Sequence, residues 1–198
     1  MPIAKKTHLQ SILALLPLLV LWMPCLGQRK IEREYRIKPN AVAASAAEFV
    51  SSTFQGAKVH WYAEESLDGK SIEAKLKYKR KHFSIEFDEA GRIQDIEIVR
   101  NKRQLDADAS IKIENALNDT FKKYKIVKIQ LQWKGSENNL KQAVLADSPT
   151  DGITVSYEIV LRGIKDKNDG YFEILLESNG AITRIREVVQ PNADNLIY

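Results

Sequence analysis

The sequence predicts an α+β protein made of two tandem units, each with one helix packed on a four-stranded antiparallel sheet. Three observations carry this: two stretches that match at a constant offset, helical apolar spacing ahead of each, and period-two alternation through the segments that follow each helix. Phe83, Ile85, Gly91, Ile93 and Ile96 recur as Phe172, Ile174, Gly180, Ile182 and Ile185, each 89 residues further on. Thr53 and Phe54 match Thr120 and Phe121, and Trp61 matches Trp133, at smaller offsets. The second unit is therefore longer, with most of the difference in 135–152 and the polar loop 163–170.

Unit one, residues 28–104, opens with a helix whose positions Ala43, Ala46, Ala47, Val50 and Phe54 follow helical spacing, with Pro39 and Asn40 as its start signal. Strands follow on the alternations Val59, Trp61, Ala63; Ile72, Ala74, Leu76, Tyr78; and Phe83, Ile85, Phe87. A turn at Arg80 and Lys81 is expected to set Glu73, Lys75, Lys77 and Lys79 against the row His82, Glu86 and Asp88 as cross-strand charge pairs. Ile93 and Ile96 stand three apart, which breaks the period and predicts a bulge near Gln94 and Asp95.

Unit two, residues 105–198, repeats the plan. Its helix is read from Ile113, Ala116, Leu117, Phe121 and Tyr124, and its strands from Val127, Ile129, Leu131, Trp133; Val155, Tyr157, Ile159, Leu161; and Phe172, Ile174, Leu176. The broken period recurs between Ile182 and Ile185, and Leu140, Ala143 and Val144 indicate one short extra helix. A unit of about 70 residues buries little apolar surface alone, so the two are expected to pack as one body.

Residues 1–27 read as a cleavable signal peptide: Lys5 and Lys6, then an apolar run from Ile12 to Met23, then Cys25 and Gly27 as small residues before the cut. That run spans about 18 Å as a helix, short of the roughly 30 Å hydrocarbon core. A periplasmic or secreted location is expected, without a stable membrane anchor. Pro24 before Cys25 departs from a lipobox. Cys25 is the one cysteine, so beyond the leader there are no disulfides, thiolate metal sites or thiol nucleophiles. Removing Lys5 and Lys6 leaves 28 basic against 26 acidic residues, too even a balance for a nucleic-acid partner.

The stretches 38–42, 54–61, 73–78 and 83–98, the last with its Phe-Asp-x-x-Gly turn, and in unit two 157–161 and 171–175, resemble PepSY-like proteins of the Bacteroidetes cell envelope. The resemblance covers nearly all of the chain after the leader. It implies a β-lactamase-inhibitor-protein-like (BLIP-like) fold and an exported, non-enzymatic binding or regulatory module whose partner is an envelope or secreted protein, such as a hydrolase or peptidase that it restrains through a sheet face, a sheet edge, or the loops 135–152 and 163–170. The alternative is a small-ligand or polysaccharide binder using aromatic side chains. No binding residues carry over.

The residues themselves advertise no catalytic, cofactor or metal site. His60 and His82 fall on the polar parity of their strands and read as solvated. His82, Glu86 and Asp88 share a face, but i and i+2 neighbours stand about 7 Å apart on one strand and seldom converge on an ion. Glu64 and Glu65 point to opposite faces and cannot act as a carboxylate pair. Trp61 and Trp133 read as core, the basic run 75–81 as a solvated face, and Asp166, Asn168, Asp169 and Gly170 as a hairpin lacking the full calcium-loop spacing.

Overall fold

The computed structural model describes residues 28–30, 32–66 and 69–189; the expected leader with Cys25 lies outside them. The elements are β1 (Gln28–Lys30), β2 (Glu32–Ile37), α1 (Ala44–Thr53), β3 (Val59–Ser66), β4 (Gly69–Tyr78), β5 (Lys81–Asp88), β6 (Ile93–Arg100), α2 (Ala107–Thr120), β7 (Lys123–Lys134), α3 (Glu137–Ala146), β8 (Thr154–Lys165), β9 (Asn168–Glu177) and β10 (Ile182–Val188). Every strand expected from alternation is present as one of β3 to β10.

The two-unit architecture needs correction. There are not two four-stranded sheets but one ten-stranded sheet, in which β6 pairs antiparallel with β7 and carries the ladder across the expected unit boundary. The segment 28–37, assigned no strand from sequence, supplies both outermost strands: β2 pairs antiparallel with β3, and β1 pairs parallel with β10. One residue separates β1 from β2, so the Cα atoms of Lys30 and Glu32 are at most about 7 Å apart. The two edges of the sheet therefore meet. If β1 and β2 are counted as one interrupted strand, nine strands form the ring, and an odd number of strands cannot close with antiparallel pairs throughout. The parallel pairing of β1 with β10 is where that mismatch falls.

The helices lie on the outer face of this curved sheet. One core gathers Phe49 and Val50 of α1, Phe54 just after it, Ile85 and Phe87 of β5, and Leu140, Ala143 and Val144 of α3; the other gathers Ala109, Ile113 and Leu117 of α2 with Ile159, Leu161, Ile174 and Leu176. Trp133 belongs to the second half of the chain yet packs in the first core, as does α3. Two groups of edge-on and tilted ring contacts form there, Phe49 and Trp61 on Phe87, and Phe54, Tyr78 and Phe83 on one another.

Several local expectations shift. Pro39 starts a single 3-10 turn, and α1 begins after Ala43 with no side-chain cap. The second helix starts six residues before Ile113, because Asp106 caps it by accepting from the Ala109 N–H at 2.7 Å, and Tyr124 falls in β7 instead. A register shift between Ile126 and Lys128 puts Ile126 against the core and leaves Val127 exposed, the reverse of the alternation.

The two expected bulges are present. Glu86 faces Asp95 while Phe87 faces Ile93, leaving Gln94 as the extra residue, and Thr183 plays the same part in β10. Gly91 and Gly180 both have positive φ, and a Cβ on Gly91 would overlap Ser45 and Ala43 at the start of α1.

Candidate functional site

The inner face of the sheet encloses a cavity of about 370 Å³ to which all ten strands contribute. Most contributions follow from strand parity: where one residue faces the helices, the next faces inward; the runs 69–71 and 94–95 lie at a strand end and at a bulge. Glu32, Glu64, Glu86, Asp95, Glu97, Glu158 and Glu173 line it, against Lys30, Lys70, Lys134, Arg184 and Arg186. The other lining residues are Ser66, Gly69, Ser71, Gln94 and Gln132; among the described residues no aromatic, aliphatic or histidine side chain takes part. Lys70, Lys134 and Gln94 are exposed and mark the mouth.

Sequence reasoning expected no such pocket. Two tertiary facts create it. First, the bulge at Gln94 turns Asp95 inward, directly opposite Glu86. Second, the β4–β5 turn lies at Lys79 and Arg80, both at positive φ, one residue earlier than expected. That moves each cross-strand partner by two positions, so Glu73 faces Glu86 and Lys75 faces Ser84. The register thus sets Glu73 against a carboxylate and Lys75 against a hydroxyl, where opposite charges were anticipated. Without glycine or asparagine the turn carries no sequence mark.

The lumen has three electrostatic regions. In one, the Lys30 ammonium bonds Glu173 and lies 2.9 Å from Glu32, while Arg184 reaches Glu173 at 3.4 Å and Glu158 at 3.6 Å. Burial works against the Lys30 charge, but Glu173, Glu158 and Glu32 outweigh it and raise its pKa well above the usual lysine range. In the second, Lys75 is buried between Glu34 at 2.7 Å and Glu73 at 3.1 Å. Here too burial opposes the ammonium, and the two carboxylates prevail and raise its pKa.

The third region is acidic. Oxygens of Glu86, Asp95 and Glu97 lie within 4.8 Å of one another. Gln132 donates from Nε2 to Asp95 at 3.3 Å and Glu97 at 3.2 Å, and Gln130 donates to Glu97 at 2.6 Å. Ser156 donates to the Gln132 carbonyl, which keeps that amide nitrogen turned to the acids. The nearest cation is Lys134, 3.7 Å from Asp95. Repulsion from Asp95, then burial, raises the Glu86 pKa well above the carboxylate range. Burial first, then Glu158 and Asp95, does the same for Glu97. Asp95 is lifted by burial to about 6, Glu158 by burial and Glu173 to about 7, and Glu64 by burial and Glu32 to about 8.

No family model matches the sequence, the PepSY-like one included, and no curated protein matches it. Two solved structures are similar to the chain. One is a BLIP-like protein from Bacteroides fragilis, at 9% identity and a TM-score of 0.48 over 77% of this chain and 90% of that one. The other is a DUF2874 family protein from Bacteroides ovatus, at 9% identity and a TM-score of 0.48 over 79% of this chain and 96% of that one.

The residues weighed from sequence are placed as follows. Glu86 lines the lumen, but its neighbours there are Asp95 and Glu97 rather than His82 and Asp88. His60 does not line the cavity, and its Nδ1 lies 2.7 Å from an Arg36 nitrogen. Glu64 points inward, whereas Glu65 pairs outward with Lys70 at 3.5 Å. Trp61 and Trp133 are 6% and 1% exposed, both in the first core, which removes them as a ligand platform. Neither proposed cleft-entering segment is a free loop. Residues 135–152 hold α3, anchored by buried Leu140, Ala143 and Val144, and 163–170 is strand apart from a turn at Asp166 and Lys167.

Proposed function

We propose that this chain is an exported, non-enzymatic binding module whose ligand is a small hydrophilic cation taken into the lumen. One observation carries the reading: an enclosed wall drawn from every strand, with acids in excess and no apolar side chain among the described residues. Sites for organic ligands are mostly apolar, with a few polar groups for orientation. A wall of charged and polar groups suits a ligand recognised by charge, and the lack of aromatic lining among the described residues opposes sugar stacking. The lack of histidine and cysteine among the described lining residues supports binding over catalysis.

Export rests on the pattern of residues 1–27 and places the module in the periplasm or outside the cell. Amino-terminal sequencing of the exported product should begin at Gln28. Titration calorimetry with calcium, manganese and spermidine tests the ligand class, and absence of heat with all three would overturn it. Restraint of an envelope hydrolase, which the PepSY-like resemblance implies, would have to use the outer surface. Its exposed large apolar residues, Tyr35, Ile111, Val127, Leu145 and Val189, lie on separate elements or beyond the last strand. Peptidase inhibition by the purified protein would restore that reading.

A further inference from the structure

Within the lumen, the acidic trio is poor in cations. Lys30 and Arg184 serve Glu32, Glu158 and Glu173, whereas Glu86 has no ion-pair partner among the described residues and Asp95 has only Lys134, itself half exposed. Two buried oxygens beside the trio also lack donors. Asp95 Oδ1 accepts no hydrogen bond, and neither does Gln130 Oε1, although each residue is only 3% exposed. Gln130 is not an acid, and its amide nitrogen is fixed on Glu97, which keeps the unpartnered carbonyl at the edge of the cluster. Buried acceptors without a donor are costly, and a cation satisfies them as well as a donor does.

We propose that Glu86, Asp95 and Glu97, with the Gln130 carbonyl, form a binding site for one hard divalent cation of the calcium or manganese type. This rests on the cation-binding reading above and narrows it to a place and a ligand class. The donors are all oxygens, with no imidazole or thiolate to favour zinc or copper. Three carboxylates supply up to six oxygens, enough for most of a calcium shell. Gln132, oriented by Ser156, holds Asp95 and Glu97 as an outer partner holds metal ligands. The cation would replace repulsion among the three acids by attraction to a shared centre.

The test is calorimetry of the chelator-treated protein with calcium chloride and manganese chloride, with the stoichiometry of bound Mn²⁺ read by electron paramagnetic resonance. The expected result is one ion per chain. Asp95→Asn and Glu97→Gln should each weaken it at least about tenfold, since loss of even an outer partner costs about 10- to 100-fold, while Glu89→Gln in an exposed turn leaves it unchanged. Divalent binding that ignores both lumen substitutions would overturn the site and leave the cation-binding reading standing, as would spermidine binding without divalent binding. No binding of any of these cations would overturn both.

Discussion

The two faces of one sheet have solved burial in opposite ways. Phe87 and Glu86 are neighbours on β5: Phe87 packs between Phe49 and Trp61 under α1, while Glu86 faces inward against Asp95. On the outer face, each apolar side chain is removed from water and meets others, and burial is the source of stability. On the inner face, burial alone works against the charged side chains, and their stability depends on partners. Where Lys75 sits between Glu34 and Glu73 the partners suffice; where Glu86 meets Asp95 and Glu97 they do not. A buried surface of uncompensated like charge is a candidate binding surface rather than a source of stability.

The largest effect is expected where the contrast depends on closure. Deleting residues 28–37 removes Glu34 from Lys75 and Lys30 from Glu173, and breaking a buried pair costs about 3–5 kcal/mol. It also bares the edges of β3 and β10. Size-exclusion chromatography should show a shift to larger species than the intact chain forms. Next, Phe87→Ala should destabilise by about 3–5 kcal/mol in urea unfolding. Its neighbour should behave oppositely: Glu86→Gln removes a repelled carboxylate and is expected to stabilise by about 1 kcal/mol at pH 7.5. Equal losses at the two positions would erase the distinction between faces.

The pH response sharpens the same comparison. The folded pKa values of Glu64, Glu158 and Asp95 are raised to about 8, 7 and 6, so the folded chain binds more protons than the unfolded chain between the ordinary carboxylate range and about pH 8. Their contribution is fully present below the unfolded values and is lost as pH rises through the folded ones. The urea midpoint should therefore fall between about pH 5 and 8. A saturating divalent cation bound at the trio should reduce that fall. The smallest effect is expected far from either face: Asp106→Ala, which uncaps α2, should cost about 1 kcal/mol.

Much of the outer face was legible in the sequence. Val59, Trp61 and Ala63 alternate because one side of β3 meets a helix, and Ile93 and Ile96 stand three apart because Gln94 bulges out of the pairing. The lumen was not legible. Glu73 and Glu86 read as cross-strand charge pairs and Glu97 drew no reading, since a charged residue alternating with apolar ones looks the same whether it faces water or the inside of a closed sheet. The strand at 28–37 was missed because its alternation is mixed: Tyr35 and Ile37 share a face with Arg33. The turn at Lys79 and Arg80 was placed one residue late, which hid the meeting of Glu73 with Glu86.

What the sequence by itself determined is local: the eight strands β3 to β10, the three helices, both bulges and the greasy side of the strands apart from the start of β7, all fixed by periodicity over a few residues. Only the tertiary structure decided that the halves share one sheet, that the first strand joins its two edges, and that acids from separate strands converge. Those outcomes depend on registers and closure between segments distant in the chain, and the period of a single strand carries no information about what its other face will meet.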